Sequence, residues 1–600
     1  MTATSQNIFM RRHSLGTMEY KLYSENCYDD PIAQILTNRG IDTEILEDWE
    51  AANNPNEKNA WKDLDDIIPT VAVIEDSIAQ GWDMDVVVDS DADGFTSAAI
   101  FINYIRKAFP DYGLDKIHYY LHNGKEHGLS DMMDCLTSPL VVVPDAGSND
   151  YEFHDILLSR GQVTVILDHH EAPYVSNSDG TFVVNNQLSD RYENKNFSGA
   201  GIVYRFCQAM DAENGFDFAD NFLDLVALGN LSDMMDYRSL ETRAIINKGL
   251  QQITNPFFHA MVEKNSYSIE KMGGVNYNSI AWYVTPFINA AVRSGTQEEK
   301  ELIFKSFLIP EAFEKIESGK RGHKGEMVPR VEEAVRIITN IKTRQTKLQD
   351  SAMALLENKI IQDDLLGNAI IICLCEPGEV EKNLAGLAAN KIQAKYQRPC
   401  LVLTKSKQKD DKEYFWRGSA RNYSKCEIED MRQTCEDTGV IEYAQGHAGA
   451  FGFSVADSKL QDFIDKTNEI YKDISLEPVY WVDYIWDYRE DFGEIVAAIT
   501  DMKLFWGQNI PESLVVVKDI PLAGQNIQLL SPDKHPTIKI SLNNGVDLMK
   551  FKSSQEEYDS FSEPNKILTI VGTCNLNEWN GKVTPQIIIE DYILDEKWVF

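Results

Sequence analysis

Six hundred residues are too many for a single hydrophobic core, so the chain must divide into several domains. Hydrophobic residues at 43% and aromatics at 10% suit packed globular structure, no apolar run reaches the ~18 residues of a membrane span, and the opening MTATSQNIFMRRHS lacks the apolar core of a secretion signal. The net charge of −37 argues against tight non-specific binding to duplex DNA, yet leaves room for cations gathered in a channel and for acids offset by divalent metals. Nine scattered cysteines with no Cys-x-x-Cys pair fit reduced thiols in a cytoplasm rather than a disulfide framework.

Residues 1–70 are polar and aromatic, with a short helix and stop expected at Pro31 to Ile41. Val86-Val87-Val88 reads as a buried strand, because β-branched residues fit a pleated surface covered on both faces. Asp89, Asp91 and Asp93 follow at once, then a glycine, with Thr96-Ser97 opening a helix-length apolar segment. Carboxylates at alternate positions past a strand end can converge on one point. A calcium loop is ruled out, since no glutamate holds the twelfth position and a strand precedes the loop; a solvated turn is the plain alternative.

Three more apolar runs end alike: LVVVPDAGSND at Asp145, VTVILDHH at Asp168, His169 and His170, and LVALGNLSD at Asp233. Acids and imidazole at the C-terminal ends of such runs sit where open α/β sheets bind ligands, and they suit Mn²⁺ or Mg²⁺. Ser198-Gly199-Ala200-Gly201 opens a helix whose free N–H groups could face a phosphate, or whose small residues could pack closely on the sheet.

Residues 256–328 read as largely helical, followed by a glycine-containing loop with Lys320, Arg321, Lys324 and Arg330. Beyond Pro329 a long helix is predicted, its apolar stripe running through Ala334, Ile338, Ile341, Leu348, Ala352 and Leu355 with Gln345 in the gap. Arg336, Arg344 and Lys347 share another face, which could be merely solvated but, in so acidic a chain, is read as lining a backbone-binding groove. A second α/β unit begins near residue 365, with Asn368 to Glu376 as a strand and Asn383 to Leu403 as helix then strand. Its phrases WRGSARN and GHAGAFGFSV place glycines beside Ser419, Arg421 and His447, as an anion grip or as tight turns. The tail is read as several short strands with a hairpin at Asn580-Gly581, an OB-like module with Trp579 and Lys582 at a tip, for nucleic acid or for docking.

The order and spacing of the four acid-ended motifs resemble the DHH phosphoesterase superfamily, named for Asp168-His169-His170. The resemblance extends along nearly the whole chain to the RecJ-type exonucleases, including LFWGQNIPE at Leu504 to Glu512, which is similar to their PFG-x-GNPEP phrase. It implies an N-terminal extension (1–70), a parallel-sheet DHH domain (71–328), a connecting long helix (329–364), a DHH-associated α/β domain (365–474) and an OB-like β domain (475–600).

By the family pattern, Asp89, Asp91 and Asp145 hold one divalent cation; Asp93, Asp145, His169 and Asp233 hold the second, Asp145 bridging. Asp168 and His170 are expected to orient the ligand histidine and meet the phosphate, with Ser419, Arg421 and His447 gripping it from the second domain. The family's PR-x-NA-x-GR phrase, which supplies a 5′-phosphate pocket, corresponds to Pro286 through Arg293, so Phe287 stands where the first arginine is expected while Asn289 and Arg293 are kept.

The implied activity is a metal-dependent 5′→3′ exonuclease on single-stranded DNA that releases mononucleotides, serving repair or recombination. Its implied partners are a single-strand-binding protein or other replication proteins, with no membrane. Departures such as PDAGSND point to a divergent, phage-encoded branch. A nanoRNase or cyclic-dinucleotide phosphodiesterase remains an alternative within the superfamily, and an inactive scaffold remains one outside the enzymes.

Overall fold

The computed structural model describes residues 18–25, 30–54, 59–124, 126–408, 412–579 and 581–596. The chain forms two compact units, and neither is a continuous stretch. One comprises Arg39–Gln345 with Leu504–Pro511; the other takes the chain before Arg39, Thr346–Lys503 and the chain from Glu512. Among the described residues no helix is long and apolar enough to cross a membrane.

The expected N-terminal extension is therefore split. Strand β1 (Glu19–Leu22) and helix α1 (Pro31–Asn38) belong to one unit, and the residues from Arg39 onward to the other.

The first unit is built on a parallel sheet of β2 (Met84–Val88), β3 (Ile117–Leu121), β4 (Leu140–Pro144), β5 (Val163–Asp168) and β6 (Thr181–Asn185). The spatial order is β3-β2-β4-β5-β6, every neighbouring pair parallel. All five residues of β2 and of β4 are buried, as apolar strands covered on both faces must be. The chain winds outward in opposite directions from β2 and β4, so a crevice opens at their C-terminal ends.

Helices α2 (Ala92–Ala108) and α3 (Gly199–Asn214) pack on this sheet, and α4 (Leu223–Ser232) packs on both of them. LVALGNLSD is thus a helix, not a fourth strand: residues 223–231 are buried on every side, and an all-round apolar helix has the composition of a buried strand. Helix α5 (Thr285–Ser294) carries the Phe287 phrase.

The basic loop is the turn of a hairpin formed by β7 (Lys315–Glu317) and β8 (Met327–Pro329), with Lys320, Arg321 and Lys324 exposed. The long helix α6 (Arg330–Gln362) starts next. Ala334, Ile338, Ile341 and Gln345 are buried as expected, but beyond them two of the three predicted positions give way to the next residue along. Ala352 is buried as expected, but Leu348 is 41% exposed and Leu355 only half-buried, with Gln349, Leu356 and Ile360 buried beside them. A 3.6-residue turn drifts against a strict alternation of three- and four-residue steps, and the true stripe follows the helix.

In the second unit the last turns of α6 pack on β9 (Ile371–Cys375) and α7 (Ala385–Tyr396), with Leu356, Ile360, Ile371, Cys373 and Ala389 in one core. Strands β10 (Cys400–Ser406), β11 (Phe415–Arg421), β12 (Ile441–His447) and β13 (Ala450–Ala456) complete a sheet ordered β12-β13-β11-β10-β9. Strand β14 (Val479–Val482) pairs in parallel with β1, so the N-terminal strand is anchored by residues near position 480.

The tail forms a seven-stranded sheet of β15 (Tyr484–Asp487), β16 (Leu514–Pro521), β17 (Asn526–Leu530), β18 (Thr537–Ser541), β19 (Asp547–Lys550), β20 (Lys566–Trp579) and β21 (Lys582–Glu596), ordered β15-β16-β20-β21-β19-β18-β17. Two of its strands are not short: β20 has 14 residues and β21 has 15. Their far ends, from Asn575 to Pro585, pair only with each other and carry Trp579, 73% exposed, at the tip. Asn580 of the expected turn lies outside the described residues.

The shifted stripe makes a sharp stability prediction. Leu356→Ala should cost about 2–5 kcal/mol by opening a cavity, and Leu348→Ala less than about 0.5 kcal/mol, measured by urea unfolding. Equal costs would restore the uncorrected stripe.

Candidate metal centre

Asp89, Asp91 and Asp93 leave the end of β2 as the chain turns into α2. Asp91 is the N-cap of that helix, its carboxylate accepting the Gly94 N–H at 2.9 Å. Asp93 lies in the first turn, where the helix dipole favours an anion. A second helix start meets it: the N–H groups of Gly199 and Ala200 donate to the two Asp93 oxygens at 2.7 and 3.2 Å. The open N–H groups of the Ser198–Gly201 helix start are thus spent on a carboxylate of the chain itself, not on a phosphate.

This approach is possible only without side chains. A Cβ at Gly199 would stand 2.3 Å from Asp145 Oδ1, and one at Gly229 would stand 2.3 Å from Asp93 Oδ1.

Asp145 ends β4 with φ at 66°, a left-handed conformation that Asp tolerates better than most residues. Its N–H still donates to Leu167 O at 2.8 Å, so the β4–β5 ladder fixes the turn that swings the carboxylate over the crevice. His169 Nε2 lies 3.2 Å from Asp145 Oδ1, 3.4 Å from Asp233 Oδ2 and 4.0 Å from Asp93 Oδ2. Asp233 is the C-cap of α4, where the dipole disfavours a negative charge.

Asp168 is fully buried and acts as the hub of the turn after β5. It accepts N–H bonds from Ser148, His169 and His170 at 3.0, 2.7 and 3.1 Å, and its Oδ1 is 2.7 Å from His170 Nδ1. Asn185 braces the same turn through His170 O and Ser148 Oγ.

The ligand atoms of Asp89, Asp91 and Asp145 fall within 4.8 Å of one another, as do those of Asp93, His169 and Asp233, and those of Asp145, Asp168, His169 and His170. Asp145 Oδ1 is buried without a hydrogen-bond donor. Burial, then the charges of Asp93, Asp91, Asp89 and Asp233, push the Asp145 carboxyl well above the usual carboxylate range. Burial with Asp93 and Asp91 pushes Asp233 up to about 8, and burial lowers His169 to about 4. So many hard oxygen donors in a dry place, with one imidazole that stays neutral, fit divalent cations.

Burial opposes charge on His170 as well, but Asp168 outweighs it and raises the imidazole to about 9. The same pair holds the Asp168 carboxyl below its ordinary range despite burial, which alone would raise it.

Arg293 is brought to this centre too: burial lowers its guanidinium and the charge of Asp91 partly restores it. Asn289, four residues earlier on α5, shares its face, and Phe287 is half-buried. Arg336 is held by Glu333 and Arg344 by both oxygens of Glu299, at 3.0 and 2.8 Å, so those two charges are already met within the unit; Lys347 is exposed.

In the other unit, the register places Arg421 and His447 on either side of Ala450, and Ser419 across from Gly452, all on one face of the sheet. Gly386, in the first turn of α7, lies over Arg421 and Ser419; a Cβ there would be 2.8 Å from Arg421 Nη2 and 3.4 Å from Ser419 Oγ.

Sequence reasoning missed two histidines. His127 Nδ1 is 2.6 Å from Asp89 Oδ2, and His122, wholly buried, sits with Nε2 3.6 Å from Asp89 Oδ1. Both lie in the loop after β3, and the signal was there: an apolar run, IHYYL, followed by HNGKEHG. LFWGQNIPE was placed in the tail but folds with this unit. Phe505 stacks edge-on against Trp49, Arg243 lies 3.7 Å over the Trp49 ring, and Tyr237 N–H donates to Gln508 O.

This fold and centre define a DHH protein: the model of the DHH family N-terminal domain matches residues 85–230, and that of the RecJ OB domain matches residues 492–591. The chain is 34% identical over 581 residues to the putative single-strand DNA-specific exonuclease yorK of Bacillus phage SPbeta and to its prophage-derived counterpart in Bacillus subtilis strain 168, covering 95% of this chain and 97% of each. It belongs to the DHH family, in the branch that holds RecJ and these phage relatives. RecJ of Bacillus subtilis is 24% identical over 595 residues, spanning 95% of this chain and 68% of the relative. The crystal structure of RecJ from Thermus thermophilus in complex with Mn²⁺ has the same fold, with a TM-score of 0.68 at 18% identity over 94% of this chain and 75% of that one.

The carboxylate cluster has a consequence for the metal-free chain. A carboxyl with a raised folded-state pKa binds its proton more tightly when folded, so its stabilising effect is present at low pH and is lost as pH rises through the folded value. In EDTA, Tm should therefore fall as pH rises from roughly 4 through about 8, the value at Asp233. Asp145→Asn and Asp233→Asn should flatten that fall and be the more stable proteins near pH 8, by roughly 2–4 °C or more in calorimetry. Lower Tm values for both variants would mean the carboxylates are not in conflict.

Proposed function

We propose that this chain is a 5′→3′ exonuclease that hydrolyses single-stranded DNA to mononucleotides with two divalent cations, Mn²⁺ or Mg²⁺. The observation that carries the reading is the convergence of Asp89, Asp91, Asp93, Asp145, His169 and Asp233 at the crevice of the parallel sheet. The relatives named as single-strand-specific exonucleases support it along the chain's whole length.

Asp89, Asp91 and Asp145 would hold one cation, and Asp93, Asp145, His169 and Asp233 the other, with Asp145 common to both. The cations supply Lewis-acid stabilisation of charge on the attacking and leaving oxygens of the phosphodiester. Asp168 keeps the His169-His170 turn rigid through its three N–H bonds, so that His169 stays aimed at Asp145. His170, positively charged at neutral pH and half-exposed, meets the phosphate oxygens.

Arg293 and Asn289 contact the strand beside the centre. Ser419, Arg421 and His447 form a phosphate grip under the N-terminus of α7. Arg344 and Arg336 can contribute only by exchanging Glu299 and Glu333 for phosphate, which leaves Lys347 and the hairpin cations Lys320, Arg321 and Lys324 as the readier backbone contacts. Trp579 offers a stacking surface in the OB module. The setting is a phage-infected bacterial cytoplasm, with a single-strand-binding protein or other replication and repair proteins as partners.

Asp145→Ala should lose at least ~10³-fold in kcat on a single strand labelled at its 3′ end, and wild type should leave blunt duplex uncut. Undiminished hydrolysis by Asp145→Ala would end this reading, and equal cleavage of duplex would end its strand selectivity.

A further prediction concerns the 5′ end. Replacing a charge-assisted phosphate contact by Phe287 removes about 1.5–3 kcal/mol of preference, while stacking on the terminal base ignores the phosphate. The kcat/KM ratio between 5′-phosphate and 5′-hydroxyl forms of one oligonucleotide should thus stay below about a hundredfold. A larger ratio would mean that another cation serves the phosphate, and products shortening from the 3′ end would overturn the polarity.

A further inference from the structure

Asp89 differs from the other acids of the centre in what touches it. Asp93 is held by helix N–H groups and Asp91 caps its own helix, whereas Asp89 lies between two imidazoles of a single loop. His127 Nδ1 is 2.6 Å from Oδ2; on the other side Gly128 N–H donates to Oδ1 at 3.3 Å, and His122 Nε2 faces that oxygen at 3.6 Å. His122 is itself aimed, its Nδ1 being 2.7 Å from Asp131 Oδ1, and its buried Nε2 has no hydrogen-bond partner.

The loop that carries both rings is braced at several points. Gln297 Nε2 donates to Leu121 O, Lys300 Nζ to Gly124 O at 3.1 Å, and Leu129 N–H to Asp150 Oδ2 at 2.7 Å. The imidazoles therefore stand on a fixed platform, and the carboxylate between them has one orientation available.

We propose that His127 and the Asp131–His122 pair are positioning residues that clamp Asp89 and thereby set the cation affinity of the Asp89–Asp91–Asp145 group. A metal-ligating carboxylate binds well only when its oxygens are already turned toward the ion, and groups that hold it from behind are typically worth ten- to a hundredfold in affinity. The inference rests on the metal reading above and adds what orients its first ligand.

The test measures Mn²⁺ binding directly, by the electron paramagnetic resonance signal of free Mn²⁺, together with Tm in EDTA. His127→Ala should weaken Mn²⁺ binding by about ten- to a hundredfold, while His127→Asn, which keeps a donor where Nδ1 stands, should return to within about threefold of wild type. Asp131→Ala, which frees His122, should weaken binding by about tenfold. His127 is largely exposed but faces a buried carboxylate, so Tm in EDTA should fall by no more than a few degrees in His127→Ala and stay near wild type in His127→Asn, which shows that the chain still folds. Wild-type affinity in His127→Ala would overturn the clamp, as would a His127→Asn variant as weak as the alanine one. Wild-type protein that binds no Mn²⁺ would overturn the metal reading and the clamp together.

Discussion

The mutual repulsion of carboxylates crowded into a dry crevice is the constraint around which the catalytic unit is arranged. The charges of Asp93, Asp91, Asp89 and Asp233 add to burial in raising the cost of ionising Asp145, those of Asp93 and Asp91 do the same at Asp233, and the fold offsets that cost with dipoles. Two helix N-termini converge on Asp93, one of them its own, and glycines replace side chains where the second helix would otherwise collide with Asp145 and Asp93. What those dipoles do not neutralise is the charge that the proposed cations would meet.

The two histidines of the family signature show how environment divides labour between neighbours. Burial keeps His169 neutral and able to donate a lone pair, while Asp168 gives His170 a lasting positive charge one residue away. One buried carboxylate does this through a single side-chain bond, and its remaining acceptor capacity goes to backbone N–H groups that fix the turn.

Most of the centre was legible because its signal is local: strand ends, alternate acids and a paired histidine are each contained in a few residues. The parts that were not legible depend on contacts distant in sequence. LVALGNLSD carries no periodicity that separates a buried helix from a buried strand, since its neighbours cover it on every side. The Gly199–Ala200 helix start read equally well as a phosphate site or a packing site, because its occupant, Asp93, lies more than a hundred residues away. His122 and His127 acquire meaning only beside Asp89, and the basic face of α6 lost much of its apparent freedom once Glu299 and Glu333 were placed against it. The helical stripe was read correctly through Gln345 and at Ala352 but fell one residue short at Leu348 and Leu355, where a turn's small excess over 3.5 residues had accumulated.

The segment Leu504–Pro511 closes over Trp49, Tyr237 and Arg243 although the rest of its unit ends at Gln345. A ribosome making this chain therefore releases a catalytic unit that still lacks one wall. At ~5–20 residues per second, the missing piece emerges about 160 residues later, after roughly 10–30 s. Throughout that interval a cage of large aromatic side chains stands open to solvent, and the half-made protein is a natural client for chaperones that bind exposed apolar surface. The same ordering delays completion of the first unit until much of the second has been synthesised, so a prematurely terminated chain would not be released as a finished catalytic unit.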